Sequence, residues 1–524
     1  MRRPHSARGL RSSYECAWPW HACASIAISG SSLNTTTTFP VPVTSHLPST
    51  NMTFSDLPTE IVSRMLTFLR VDGEVDLDSL KNVRLCSRRL NVLAQPQFYS
   101  SFRETTPNSL LRLLRETSKD DRISKYCETF QDCSALWWRD ASRLRVLSGP
   151  VAEEMFTAIL DGHVGDCLRA SYDKAAEHGS RHPSGLIEAM RDDESRGLMT
   201  LALLSLPAIQ HLEWGMVGLS RWEVEYLEEN PGLRHKPRTY SWLTWLFDRA
   251  GDLQKSPRTS YFTDVGNLHK LESIDFHIHG PKTLAFSQIA PYITLKSLRS
   301  FSWSCVDIYW DMSARMRLPN IKSLYLTDVA LGDEALGKLM AIFTALETLE
   351  LRTGLFIKMA THIKHLQPTL RRLILKNTYG PQAYVQKPAQ RSSYEGFDKL
   401  EVLEVAAPQI DGWVSDLIHQ DHVETHEAEM TPLERVIPST VQQLTISCCG
   451  KRVLQKVRTL VKSDWLEQSR LTRLVLNCHW KYKTWIDVGL REQWGKECKD
   501  AGIELVLDYR YWEPNSGTGI QSYV

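Results

Sequence analysis

After residue 197 one phrase recurs nine times: apolar, two residues of any kind, apolar, one of any kind, apolar. It reads Ile209-x-x-Leu212-x-Trp214, Leu271-x-x-Ile274-x-Phe276, Leu298-x-x-Phe301-x-Trp303, Ile321-x-x-Leu324-x-Leu326 and Leu346-x-x-Leu349-x-Leu351. It continues as Leu370-x-x-Leu373-x-Leu375, Leu400-x-x-Leu403-x-Val405, Val441-x-x-Leu444-x-Ile446 and Leu471-x-x-Leu474-x-Leu476, with Ile503-x-Leu505-x-Leu507 as a degenerate last strand. Successive second positions are separated by 62, 27, 23, 25, 24, 30, 41 and 30 residues. Two apolar residues one apart form a short strand with both side chains on one face. A single such strand cannot bury them, but stacked neighbours make a continuous core and a parallel sheet.

The spacing from 274 to 373 fits the 20–29-residue period of leucine-rich repeats, which this region resembles. Longer gaps are insertions. Helices are expected between strands, as at Asp333–Phe343 and Phe356–Leu366. The Asn or Cys position of the repeat is kept only at Cys449. Elsewhere it holds His279, Val306, Val329, Gly354, Thr378, Pro408 and His479, so the array is irregular.

Before the repeats lies a different pattern. Leu57-Pro58-x-Glu60-Ile61 opens a helix, with Pro58 in the first turn, where its missing N–H costs nothing. Ile61, Val62, Met65, Leu66, Phe68 and Leu69 give a wide apolar face, and Val71–Glu74 breaks it. A second stretch carries Leu77, Leu80 and Val83. A third carries Leu85, Cys86, Leu90 and Leu93 among Arg84, Arg88 and Arg89, and is expected to end before Pro96. Three short helices make a very small core, and such a unit needs a partner, metal or disulfide. No metal ligands cluster here and one Cys is present, which leaves a partner surface.

Residues 53–102 resemble the F-box, on Leu57-Pro58-x-Glu60-Ile61, Met65-Leu66-x-x-Leu69, Leu80-x-x-Val83-x-Leu85-Cys86-x-x-x-Leu90 and Pro96-x-Phe98-Tyr99. The connector Arg70–Asp76 is slightly long, and Leu90 stands where an aromatic is frequent. The resemblance implies binding of the Skp adaptor and, through it, a cullin–RING ubiquitin ligase. Leu57, Pro58, Ile61, Leu66, Leu69, Leu80, Val83 and Leu85 then mix adaptor contacts with internal core, and sequence does not separate the two sets.

The expected fold class is α/β: a small α-helical F-box followed by an irregular leucine-rich-repeat solenoid with parallel strands and outer helices. The expected divisions are a disordered leader at 1–52, the F-box at 53–102, a mainly helical connector at 103–197, the repeats at 198–510 and a tail at 511–524. The leader is Arg-rich, then Ser-, Thr- and Pro-rich, which cannot offset its ordering entropy. A transit peptide or translation from Met52 are alternative readings of it. Leu110, Leu111, Leu113 and Leu114, and Val151 to Leu160, are apolar clusters of the connector; Leu144-x-x-Leu147 is a possible early repeat.

Charge is balanced, 62 Lys and Arg against 61 Asp and Glu for a net +1, which lacks the basic excess of a nucleic-acid binder. No apolar run reaches membrane-spanning length. None of the 11 cysteines has CxxC spacing, and their scatter fits a reducing compartment, cytoplasmic or nuclear. Walker, HExxH and GxSxG patterns are absent. No catalytic residue, cofactor or metal is expected. His419, His422 and His426 with Asp421, Glu424, Glu427 and Glu429 read as a solvated loop. Trp137, Trp138, Trp242, Trp245, Trp303 and Trp310 read as core, and Trp242 and Trp245 beside Arg234, His235, Lys236 and Arg238 are a weaker anion candidate. His277 and His279 share a strand face and read as plain surface residues.

The combination is expected to act by proximity as the substrate-recognition subunit of a Skp–cullin–F-box ligase, holding an unknown protein client near the conjugating enzyme. A non-catalytic repeat scaffold outside a cullin ligase is the alternative. Expected solvent-facing strand residues are Ser273, Asp275, His277, Ser300, Ser302, Ser304, Tyr325, Thr327, Glu350, Arg352, Ile374, Lys376, Glu404, Thr445, Val475 and Asn477. The insertions Tyr379–Asp398 and Pro408–Pro438 offer a second surface.

Overall fold

The computed structural model describes residues 57–71, 74–103, 107–132, 194–216, 242–255, 268–278, 283–304, 307–309, 316–329, 331–353, 359–377, 392–411, 432–449, 451–478 and 488–508. Apart from Leu57, they belong to one unit, Pro58–Val524. The leader, the tail, Val151 to Leu160 and Leu144-x-x-Leu147 lie outside the described residues.

Three helices open the unit: α1 (Thr59–Leu66), α2 (Leu77–Cys86) and α3 (Arg88–Ser100). Between the first two, β1 (Arg70–Val71) pairs antiparallel with β2 (Glu74–Val75). Asp76 caps α2 by accepting from the Ser79 amide at 3.1 Å, and Ser87 caps α3 by accepting from the Leu90 amide at 3.1 Å. The Ser87 cap divides the stretch expected to be one helix from Leu85 onward. α3 also does not stop before Pro96 but carries it internally. The ring leaves the Val92 carbonyl without its helical donor, and Val92 is exposed, so water can reach that oxygen.

α3 runs directly into the sheet: Ser101 is its C-cap and the first residue of β3 (Ser101–Arg103). Next come β4 (Thr129–Asp132), β5 (His211–Met216), β6 (Ser273–Ile278), β7 (Thr283–Ala285), β8 (Ser300–Ser304) and β9 (Asp307–Tyr309). They are followed by β10 (Ser323–Thr327), β11 (Thr348–Thr353), β12 (Arg372–Asn377), β13 (Val402–Ala406), β14 (Gln443–Cys449), β15 (Arg473–Cys478) and β16 (Glu504–Asp508). β7 and β9 pair apart from the rest. The other twelve strands from β3 onward form one sheet in chain order, every neighbouring pair parallel.

Each recurring phrase ends in a strand, and the phrases align in register. Leu212, Ile274, Phe301, Leu324, Leu349 and Leu373 are successive partners across β5 to β12, and Leu403, Leu444 and Leu474 continue the row. All are buried. Leu336, Leu339, Met340 and Ile342 of the helix at Asp333–Ile342, and Leu454, Val457 and Leu460 of the helix at Lys451–Val461, join them in one continuous core. Helices therefore cover the leucine face of the sheet. The helix expected at Phe356–Leu366 is a short one at Met359–His362 followed by a 3-10 turn at Lys364–Leu366.

The sheet starts earlier than the phrase suggests. Two of its strands, β3 and β4, lie in or next to the segment read as a mainly helical connector, alongside helices at Pro107–Lys119 and Asp121–Ser124. They are three and four residues long and lack the phrase; Phe130, fully buried, takes the place of the leucine beside Leu212.

Candidate functional site

The small helical unit has its own buried set. Val62 and Leu66 of α1, Leu80 of α2 and Ala94 of α3 are buried, and none belongs to the continuous core of the sheet. Of the expected adaptor residues, Leu66 and Leu80 are therefore internal, whereas Leu57, Leu69 and Val83 are part-buried. Pro58, Ile61 and Leu85 are exposed, Leu85 at 79%. Among the described residues, the large apolar side chains left exposed are Ile61, Met65, Phe68, Leu77, Leu85 and Val92, and all lie in this unit. Ile61 and Met65 follow helical spacing along α1, as do Leu77 and Leu85 along α2, so each pair forms one stripe, and Phe68 stands in the turn just after α1. Val92, on α3, is the member that the sequence pattern did not single out.

Exposed apolar side chains of this size are not distributed at random on a folded chain. A cluster of them marks a surface that a partner covers. Basic side chains accompany the stripes: Arg64 one turn along α1 from Ile61, and Lys81 midway between Leu77 and Leu85.

The second surface is the sheet face opposite the helices. Gln131, Glu213, Asp275, Ser302, Tyr325, Glu350, Ile374 and Glu404 are register partners in one row across β4 to β13. His277, Ser304, Thr327, Arg352 and Lys376 form the next row. His277, expected as a plain surface residue, instead bridges two carboxylates. Its Nε2 lies 3.4 Å from Glu213 Oε1 and 3.5 Å from Asp275 Oδ2, and Gln131 Nε2 donates to Glu213 Oε1 at 2.7 Å. Contacts with Asp275 and Glu213 outweigh partial burial and raise the imidazole pKa to about 10. Contact with His277 lowers Glu213; at Asp275 burial pushes upward but the His277 contact prevails, leaving it lowered.

His277 Nδ1 is 2.8 Å from Ser304 Oγ, and Ser304 Oγ donates to the Phe276 carbonyl at 3.3 Å. This places a hydroxyl, an imidazole and a carboxylate in sequence, the layout of an activated nucleophile. An imidazolium held protonated at neutral pH cannot take the serine proton, and the serine proton already points at a carbonyl. The arrangement is an ion-pair network rather than a nucleophile and its base.

The sheet face is not open along its whole length. Ile374, Thr445 and Asn477, expected to face solvent, are buried, Ile374 at 2%. Most of both insertions lies outside the described residues, and their described ends anchor apolar side chains in the core. Tyr394 and Phe397 lie in the first, Leu433, Val436 and Ile437 in the second, and all five join the core.

Cys449 is buried as the repeat position implies, and pairs in register with Cys478. Trp303 is core. His279, the cluster His419 to Glu429, the basic residues Arg234 to Arg238, and Trp137, Trp138 and Trp310 lie outside the described residues. Trp242 and Trp245 fall on the helix Trp242–Lys255. Among the described residues no group of three or more His, Cys, Asp or Glu is placed to hold a metal ion, and no helix is long and apolar enough to cross a membrane. No protein-family model matches the sequence, and no curated protein matches it.

Proposed function

We propose that this chain is the substrate-recognition subunit of a Skp–cullin–F-box ubiquitin ligase. In this reading α1–α3 are an F-box that docks on the Skp adaptor, and the parallel sheet with its helices is an irregular leucine-rich-repeat solenoid that holds a protein client. The observation that carries it is that, among the described residues, the exposed large apolar side chains are confined to the helical unit whose sequence resembles an F-box. That unit has a very small core of its own and an apolar face ready to be covered. The chain supplies position: adaptor at one end, client on the sheet, and a raised local concentration of client lysine near the conjugating enzyme.

The test is co-purification of the full chain with the Skp adaptor and cullin, beside an Ile61→Asp/Leu85→Asp variant. Both positions are exposed, so the variant keeps its fold and loses the adaptor. Adaptor absent from the folded wild-type chain would sink the F-box assignment. Adaptor bound without cullin would leave a scaffold outside the ligase.

A further inference from the structure

We infer that six hydroxyl-bearing side chains on β8 and β10 form the client-binding window of the sheet, and that it takes an uncharged, extended polar segment recognised without phosphorylation. This rests on the reading of the sheet as a client receptor. The six are three register pairs, Ser300 with Ser323, Ser302 with Tyr325, and Ser304 with Thr327. Their strand neighbours Phe301, Trp303, Leu324 and Leu326 are buried in the core, so alternation places all six on the opposite face, where each is part-exposed. No charged residue interrupts them.

Charge borders the window on both sides, three cations against four carboxylates, and each of those cations is already engaged. On the β6 side stands the His277 network with Glu213 and Asp275. On the β11 side Arg352 Nη2 pairs with Glu350 Oε1 at 2.7 Å, and one strand further Lys376 Nζ lies 3.6 Å from Glu404 Oε1. A phosphoryl group would find these cations engaged and would bring its charge against four carboxylates. A lysine or arginine from a client would likewise have to compete with His277, Arg352 or Lys376 for its acid. The neutral window favours a neutral occupant.

Four of the six hydroxyls are available. Among the described residues those of Ser300, Ser323, Tyr325 and Thr327 make no hydrogen bond, whereas Ser302 is held by the Asp275 carboxylate and Ser304 by His277 and the Phe276 carbonyl. Hydroxyls both donate and accept, which suits backbone amides and Ser, Thr, Asn or Gln side chains. Along a strand they repeat every second residue, about 6.6 Å, the same repeat as alternate residues of an extended peptide laid on the face. Tyr325, between Ser302 and Glu350 in its row, supplies aromatic contact area at low entropic cost. The face closes at Ile374, two strands beyond Tyr325, which bounds the window on that side.

The experiment selects a displayed random dodecapeptide library on the immobilised full chain, with Tyr325→Ala and Ser302→Arg variants in parallel. The expected winners are poor in Asp, Glu, Lys and Arg and bind Tyr325→Ala at least tenfold more weakly. Ser302→Arg abolishes binding, and phosphorylating a serine of a synthetic winner weakens it. Winners rich in charge, tighter binding after phosphorylation, indifference to both substitutions, no enrichment at all, or binding of a glycan array in place of peptides would each overturn the inference. Thermal melts and adaptor co-purification of the same variants separate the two proposals. Peptides selected at the window by a chain that never retains the adaptor would refute the ligase reading and leave the window standing. Adaptor retained by a chain that selects no peptide would do the reverse.

Discussion

The guanidinium of Arg84 lies over the ring of Phe98, 4.3 Å from its centroid, and reaches from α2 to the end of α3. Its Nε donates to Asn91 Oδ1 at 2.8 Å, and it stands 5.2 Å from the Tyr99 ring. Tyr99 in turn donates its hydroxyl to Glu116 on the helix Pro107–Lys119. With α3 running straight into β3, this set of contacts fixes the helical unit to the sheet. Arg84→Ala is expected to destabilise the chain by about 1–3 kcal/mol, from part-buried cation–π contacts and the charge-assisted hydrogen bonds to Asn91 and the Tyr99 hydroxyl. Arg84→Lys should recover only part of that, since an ammonium lacks the planar fork. Denaturant unfolding measures both; equal stability of Arg84→Lys and wild type would refute the stacking role.

Gly337 and His362 present a tighter constraint. A Cβ on Gly337 would stand 2.8 Å from His362 Nδ1, because the imidazole crosses the helix Asp333–Ile342 at that point to place its Nε2 2.8 Å from Asp333 Oδ1. Alanine is the better helix former by about 1 kcal/mol. Gly337→Ala should nevertheless destabilise by about 1–2 kcal/mol, since the packed ring must shift and lose its carboxylate. In a His362→Ala background the same substitution should stabilise, by up to about 1 kcal/mol. A double-mutant cycle read by thermal unfolding checks the change of sign.

Two leucines of one helix separate folding from binding. Leu80 is fully buried and Leu85 is exposed. Leu80→Ala should cost about 2–5 kcal/mol. Leu85→Ala should stay within about 0.5 kcal/mol of wild type while weakening adaptor capture. Unfolding curves paired with adaptor titration of both variants test this; a large stability loss at Leu85 would mean that the surface is internal packing.

The leucine rows were legible because L-x-L alternation and a repeated gap carry both strand and register. β3 and β4 were not, since three or four residues with a single buried phenylalanine leave no period to read. Within the helical unit, apolar residues surround α1 closely enough that Ile61 and Val62 look alike in sequence. Only the packing of α3 against α1 and α2 turns Val62 inward and leaves Ile61 outside. The His277 network depends on Glu213 of the preceding strand, brought alongside by parallel pairing across the longest gap in the array. The burial of Ile374, Thr445 and Asn477 is likewise set by tertiary neighbours that strand alternation does not encode.

The same network gives stability a pH dependence of definite sign. His277 is raised in the folded chain to about 10 from an ordinary 6.5, so its contribution is complete below pH about 6.5 and is lost progressively as pH rises toward 10. Glu213 and Asp275 are lowered, so theirs is complete above the ordinary carboxylate range and is lost as pH falls through their depressed values. The three act together between about pH 5 and 6.5. The side chains are more than a third exposed, so solvent screening keeps the effect modest. His277→Gln removes the charge. The difference in melting temperature between wild type and His277→Gln should therefore be greatest between pH 5 and 6.5 and shrink steadily toward pH 10. An imidazole NMR titration of the wild-type chain should show no midpoint near 6.5, and a midpoint there would remove the network's claim on His277.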